Sequence, residues 1–92
     1  MTPSPINEYI ITDHAAFEMD RRSIPIEIVR EVLRKPEQKL LVREGRVVLQ
    51  SRVMIDGKIY LIRIFVDKDK RPAEVVTVYR TSKIVKYWEE AS

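Results

Sequence analysis

The apolar positions of this chain change period once. Before Pro36 they recur at helical spacing, and after it they alternate. The segment IEIVREVLRK, residues 26–35, puts Ile28, Val29, Val32 and Leu33 on one stripe, with Glu27, Arg30, Glu31 and Arg34 opposite. That pattern predicts an amphipathic helix. Pro25 suits its start, where a missing amide hydrogen costs nothing, and Pro36 stops it. Ahead of it, Thr12 or Asp13 can cap a first helix that runs to about Arg22. Glu8 to Ile11 predict a short strand. Residues 1–7, with Pro3 and Pro5, predict a loose lead-in.

The alternating part predicts a sheet. LLV around Leu40 is one strand, and Glu44-Gly45 makes a turn. RVVLQSRVMI, from Arg46 to Ile55, is the next strand. Asp56-Gly57 is the strongest local signal, a two-residue hairpin turn that needs positive φ. KIYLIRIFV follows, then the polar loop DKDKRP, then the strand AEVVTVYR. TSKIVKYWEE predicts a short C-terminal helix with Ile84 and Trp88 one turn apart, and Trp88 is expected to pack on the core.

The hairpin turn also sets a register. One face pairs Ile55 with Lys58, Val53 with Tyr60, Ser51 with Ile62, Leu49 with Ile64 and Val47 with Val66. It is nearly all apolar and is expected to lie under the helices. The other face pairs Met54 with Ile59, Arg52 with Leu61, Gln50 with Arg63 and Val48 with Phe65. If Val76 and Val78 of the last strand join the apolar face, then Val75, Thr77 and Tyr79 join the other. That second face carries Gln50, Arg52, Arg63, Thr77 and Tyr79, flanked by Val48, Phe65 and Val75. Arginines beside aromatics suit phosphates and stacked bases. An ordinary solvated sheet face has the same alternation.

Composition narrows the class. Ninety-two residues make a single domain, 1–92. With 45% hydrophobic and 34% charged residues, the chain has the composition of a folded protein. It has no cysteine and one histidine, which excludes disulfides and any thiolate or histidine-rich metal site. No cofactor or metal is expected. The N-terminal residues lack the zones of a signal peptide, so a cytoplasmic location without membrane association is expected. Net charge is +3. Residues 1–36 hold five basic and six acidic groups, residues 37–92 twelve and eight. A basic second half permits an anionic partner such as RNA.

The order of motifs resembles a known family. His14-Ala15 near a helix start is followed by Arg21, then Arg22-Ser23-Ile24, then a second helix ending at Lys35-Pro36, then a hairpin-rich sheet ending in VVTVY, Val75 to Tyr79. This is similar to the family called domain of unknown function 4258, over about Thr12 to Tyr87. The resemblance implies a RelE/barnase-like α+β fold: two N-terminal helices on one face of a four-stranded, or five-stranded, antiparallel sheet, with a short C-terminal helix. It implies an RNA-cutting toxin of a toxin–antitoxin pair. The implied partners are RNA, either mRNA or the ribosome, and an antitoxin protein. His14, the helix-end arginine at Arg21 or Arg22, and Thr77 with Tyr79 match the family motif. Ser23 replaces a glycine common there, and Pro25 replaces a capping Ser or Thr.

Metal-free RNA cleavage needs a base for the ribose 2′-hydroxyl, a donor for the leaving 5′-oxygen, and cations for the phosphate. His14, Arg63 and Tyr79 are the candidate catalytic residues. Arg21, Arg22, Gln50, Arg52, Thr77, Lys83 and Tyr87 are the candidate RNA contacts. Glu18, one turn after His14, can orient its ring. The arginine pair also suits a helix C-terminus, and the histidine a helix start, with no ligand at all. His14 lies in the helical layer and Arg63 with Tyr79 on the far sheet face, so the two sets are expected to meet only at an edge. The alternatives are a non-catalytic RNA- or protein-binding module, or a small dimerising structural domain that forms a homodimer through an edge strand.

Overall fold

The computed structural model describes residues 3–90. The first two residues of the expected lead-in, and the last two of the domain, lie outside the described residues. The elements are β1 (Tyr9–Ile11), α1 (Asp13–Arg21), α2 (Ile26–Arg34), β2 (Gln38–Arg43), β3 (Arg46–Ile55), β4 (Lys58–Asp67), β5 (Ala73–Thr81) and α3 (Ile84–Tyr87).

The helices start and stop for local reasons. Thr12 caps α1: its hydroxyl accepts from Ala15 N at 3.1 Å and donates to Val75 O at 2.9 Å. The cap therefore also ties α1 to β5. Ser23 ends α1 with φ at 53°, and Ile24 N donates to Met19 O at 2.8 Å. This is the left-handed helix stop that glycine normally makes. Pro25 is the residue before α2, not its first residue, and Val29, Val32 and Leu33 face inward. Burying each contributes about 1.5–3 kcal/mol.

Five strands form one sheet in the order β1-β5-β4-β3-β2. The β3–β4 hairpin pairs Ile55 with Lys58 through to Val47 with Val66, the register set by the Asp56-Gly57 turn. Both turn residues have positive φ, 50° and 79°. The face carrying Val47, Leu49, Ile62, Ile64, Val66 and Val78 packs against α1 and α2 as the core.

Two expectations are corrected. The sheet is mixed, because β1 runs parallel to β5, pairing Tyr9 with Ala73 and Ile11 with Val75. A three-residue strand separated in sequence from its partner by two helices and three strands carries no local signal of direction. Second, Val75 lies in the core and Val76 does not. The β4–β5 register shifts between Phe65 and Val66, so the two valines exchange faces relative to simple alternation. Thr77, Val78 and Tyr79 keep the faces expected of them.

Candidate functional site

Four residues, one from each of β5, β4, β3 and β2, stand side by side on the sheet face away from α1 and α2. Tyr79 pairs with Arg63, Arg63 with Gln50, and Gln50 with Gln38. Their side chains form one chain of hydrogen bonds. Arg63 Nη1 donates to the Tyr79 hydroxyl at 2.5 Å, and Arg63 Nε donates to Gln50 Oε1 at 2.8 Å. Gln50 Nε2 donates to Gln38 Oε1 at 2.7 Å and to Tyr87 O at 3.1 Å. Gln50 has no exposed surface, so this network is what makes its burial tolerable.

Aromatic rings wall the row. The Arg63 guanidinium lies 4.5 Å from the Tyr87 ring centre, 5.3 Å from Phe65 and 5.6 Å from Tyr79. Phe65 stacks on Tyr79, and Tyr87 meets Tyr79 edge-on. Arg63 is half-buried, and no carboxylate among the described residues lies within salt-bridge distance of it. Arginine has five N–H donors, and these contacts use two of them. The other three make no hydrogen bond to the described residues.

The expected apolar patch of Val48, Phe65 and Val75 is not open. Val75 belongs to the core, and Val48 is buried between its cross-strand neighbours Leu40 and Phe65. The C-terminal segment crosses this same face. Besides the Gln50–Tyr87 bond, Gln38 Nε2 donates to Glu89 O at 2.7 Å, and Glu89 N donates to Gln38 Oε1 at 3.1 Å. Trp88 does not pack on the core. It is half-buried at the sheet margin, with the Arg52 guanidinium 4.2 Å from its ring centre. Arg52 is also held by Glu37 through both carboxylate oxygens, at 3.1 and 2.9 Å. Those bonds, the Arg52 side-chain bond foremost, hold the Glu37 carboxyl below its usual range.

The helical layer reaches this face at one point. β1 pairs only with Ala73–Val75, so among the described residues the edge of β5 beyond Val75 carries no strand. α1 lies along β5, and from its end Arg22 places its guanidinium 5.6 Å from the Tyr79 ring centre. Tyr79 thus has an arginine from each layer. Glu18 holds Arg22 at 2.8 Å and Arg21 at 2.7 Å. The hydrogen bond from Arg21, with the charges of both arginines, keeps the Glu18 carboxyl below its usual range despite burial.

His14 does not join the group. It is exposed, one turn before Glu18, and makes none of the side-chain hydrogen bonds that link the described residues around Tyr79. Glu18 makes no hydrogen bond to its ring; its Oε2 accepts from both Arg21 and Arg22. Thr77 stands on the site face opposite Phe65. Lys83 is exposed, and its amide donates to Thr81 Oγ1 at 3.0 Å. Gln38 and Phe65 are site residues that sequence reasoning did not select. Gln38 carries no local signal, since its place opposite Gln50 depends on the β2–β3 register.

No helix among the described residues is long and apolar enough to cross a membrane, and no group of three or more metal-ligating side chains comes together among them. No curated protein and no solved structure matches the chain. Residues 11–85, which include α1 with its Arg21-Arg22 end and the Gln38–Gln50–Arg63–Tyr79 row, match the model of "Domain of unknown function (DUF4258)", and the chain belongs to that family.

Proposed function

We propose that this chain acts on single-stranded RNA through the face centred on Arg63 and Tyr79. One observation carries the reading. Among the described residues, Arg63 is a half-buried cation held only by neutral groups, Gln50 Oε1 and the Tyr79 hydroxyl, among aromatic rings. Arg46 and Arg52, by contrast, have carboxylate partners. A guanidinium anchored by neutral acceptors keeps its charge for an incoming anion, and aromatic neighbours suit bases better than they suit inorganic ions. Arg22, whose charge Glu18 already pairs, approaches the same ring from the helical layer.

The reaction this arrangement would serve is metal-free cleavage. The 2′-oxygen attacks phosphorus, the bond from phosphorus to the 5′-oxygen breaks, and a 2′,3′-cyclic phosphate remains. Arg63 binds the phosphate, and the Tyr79 hydroxyl, which accepts from Arg63, has its own proton to give the leaving oxygen. His14 would take the 2′-hydroxyl proton, with RNA passing round the β5 edge from the Tyr79 face to α1. A toxin role beside an antitoxin, and kinship with RelE- and barnase-like ribonucleases, rest on the sequence resemblance. The separation of His14 from Arg63 favours a second reading, a binding module without cleavage.

Incubation of the purified chain with single-stranded RNA in excess chelator separates the two. The enzyme reading expects cyclic-phosphate products that His14→Ala and Arg63→Ala both abolish. RNA binding that needs Arg63, with no product, establishes the binding module instead. RNA binding unaffected by Arg63→Ala overturns the site.

A further inference from the structure

A second site lies at the other end of the row. Gln38, the last residue of the row, borders a groove of ≈ 580 Å³ lined also by Pro3, Lys35, Pro36, Glu37, Arg52 and Trp88. That volume is within the range of small-molecule sites, about 300–1,000 Å³. Its chemistry is an indole, two proline rings, two cations and one carboxylate, that of Glu37. Glu37 occupies Arg52, but Lys35, exposed at the end of α2, makes no ion pair with another described residue. The neighbouring groove between α2 and β3 shares Lys35, Glu37 and Arg52 but adds Glu27 and Glu31, which make it the less suited to an anionic strand. The Trp88 groove is therefore the one that suits a nucleotide.

Its position matters as much as its chemistry. Arg63 stands on β4 and Gln38 on β2, two strands apart in the same cross-strand row. At about 4.8 Å per strand the separation is about 10 Å, within the span of a short oligonucleotide. Arg63 lies against Tyr87, Arg52 against Trp88, and Lys35 at the end of α2 borders the same groove, so these cations follow the C-terminal segment from the Tyr79 side to Trp88.

We propose that this groove is a nucleobase-stacking subsite: an unpaired base of the bound RNA stacks on Trp88 while Lys35 meets the adjacent phosphate. The inference rests on the RNA reading of the Arg63 face and adds a direction to it. The strand runs across the sheet, from β5 toward β2, and not along one strand. Stacking on an aromatic ring tolerates any base, so the subsite contributes affinity with little sequence preference.

Trp88 is the sole tryptophan, so its emission reports this groove alone. A short oligouridine RNA, end-labelled, is titrated while tryptophan emission and label anisotropy are followed together. The expected result is quenching with the same midpoint by both signals. Trp88→Leu should weaken binding about tenfold, the size of one lost base stack. Lys35→Gln, at an exposed position with no ion pair among the described residues, should also weaken it at low salt, and Lys35→Glu more so. RNA that binds through Arg63 with unchanged emission, and with equal affinity for wild type and Lys35→Glu, overturns the subsite and leaves the Arg63 reading standing. Binding indifferent to Arg63→Ala overturns both. If Trp88→Leu does not fold, emission quenching and Lys35→Glu decide.

Discussion

Arg63 Nε donates to Gln50 Oε1 at 2.8 Å, and this bond sets the orientation of the whole polar row. Arginine can only donate, so the amide oxygen of Gln50 must face it. Its NH₂ group then faces Gln38 Oε1 and Tyr87 O. Gln38 is oriented in turn, with its own NH₂ on Glu89 O. A cation on β4 thereby positions the backbone of the C-terminal segment two strands away.

Gln50→Leu tests that dependence. Leucine fills similar volume but leaves Arg63, Gln38 and Tyr87 O without their central partner. A buried polar group left unpaired costs about 1–3 kcal/mol. Urea denaturation should show a loss of that size, with Trp88 emission shifted toward that of exposed indole. Unchanged stability would mean that the network is not continuous.

Ser23→Gly should stabilise the protein. Ser23 holds φ at 53° to end α1, a conformation glycine adopts without strain. Relief of left-handed strain is worth about 1 kcal/mol, or about 5 °C in Tm for a domain of this size. Differential scanning calorimetry measures it. A lower Tm would show that the serine side chain has a compensating role.

Stability should fall in acid. Glu18 and Glu37 are held below their ordinary 4.5 by Arg21 with Arg22 and by Arg52, and Asp67 below 3.8 by Arg46, whose Nε donates to it at 2.6 Å. As pH drops, the unfolded chain takes up these protons before the folded one does. The carboxylate contribution is complete above those ordinary values and is lost as pH falls through the lowered folded-state ones. Tm should be level from neutrality to about pH 5 and decline below it. Glu37→Gln should lower Tm near neutrality and flatten the decline. An equal acid slope in that variant would remove Glu37 from the account.

Much of this site was legible in the sequence because a single turn propagates. Asp56-Gly57 needs positive φ, which fixes the hairpin register and so places Gln50 beside Arg63. The alternation of β5 then brings Tyr79 to the same row. What was not legible depends on distant contacts. Gln38 joins the row through β2, whose pairing with β3 is itself irregular between Leu41 and Arg43. Val75 and Val76 exchange faces at a register shift that no local pattern announces. Glu18 was ambiguous for a physical reason: His14 and Arg22 each lie one turn from it, on opposite sides. The guanidinium is the stronger partner, being always charged and a multiple donor. His14 is left on the rim and Arg22 is aimed at Tyr79.

The central claim is that Arg63 keeps its charge for a nucleic-acid phosphate. The salt dependence of single-stranded RNA binding, wild type against Arg63→Gln, tests it most directly. Each phosphate contact on a single strand contributes about 0.7 to the slope of log K against log salt. Arg63→Gln should bind more weakly and with a slope smaller by about that amount. Equal affinity and equal slope for the two proteins would contradict the claim.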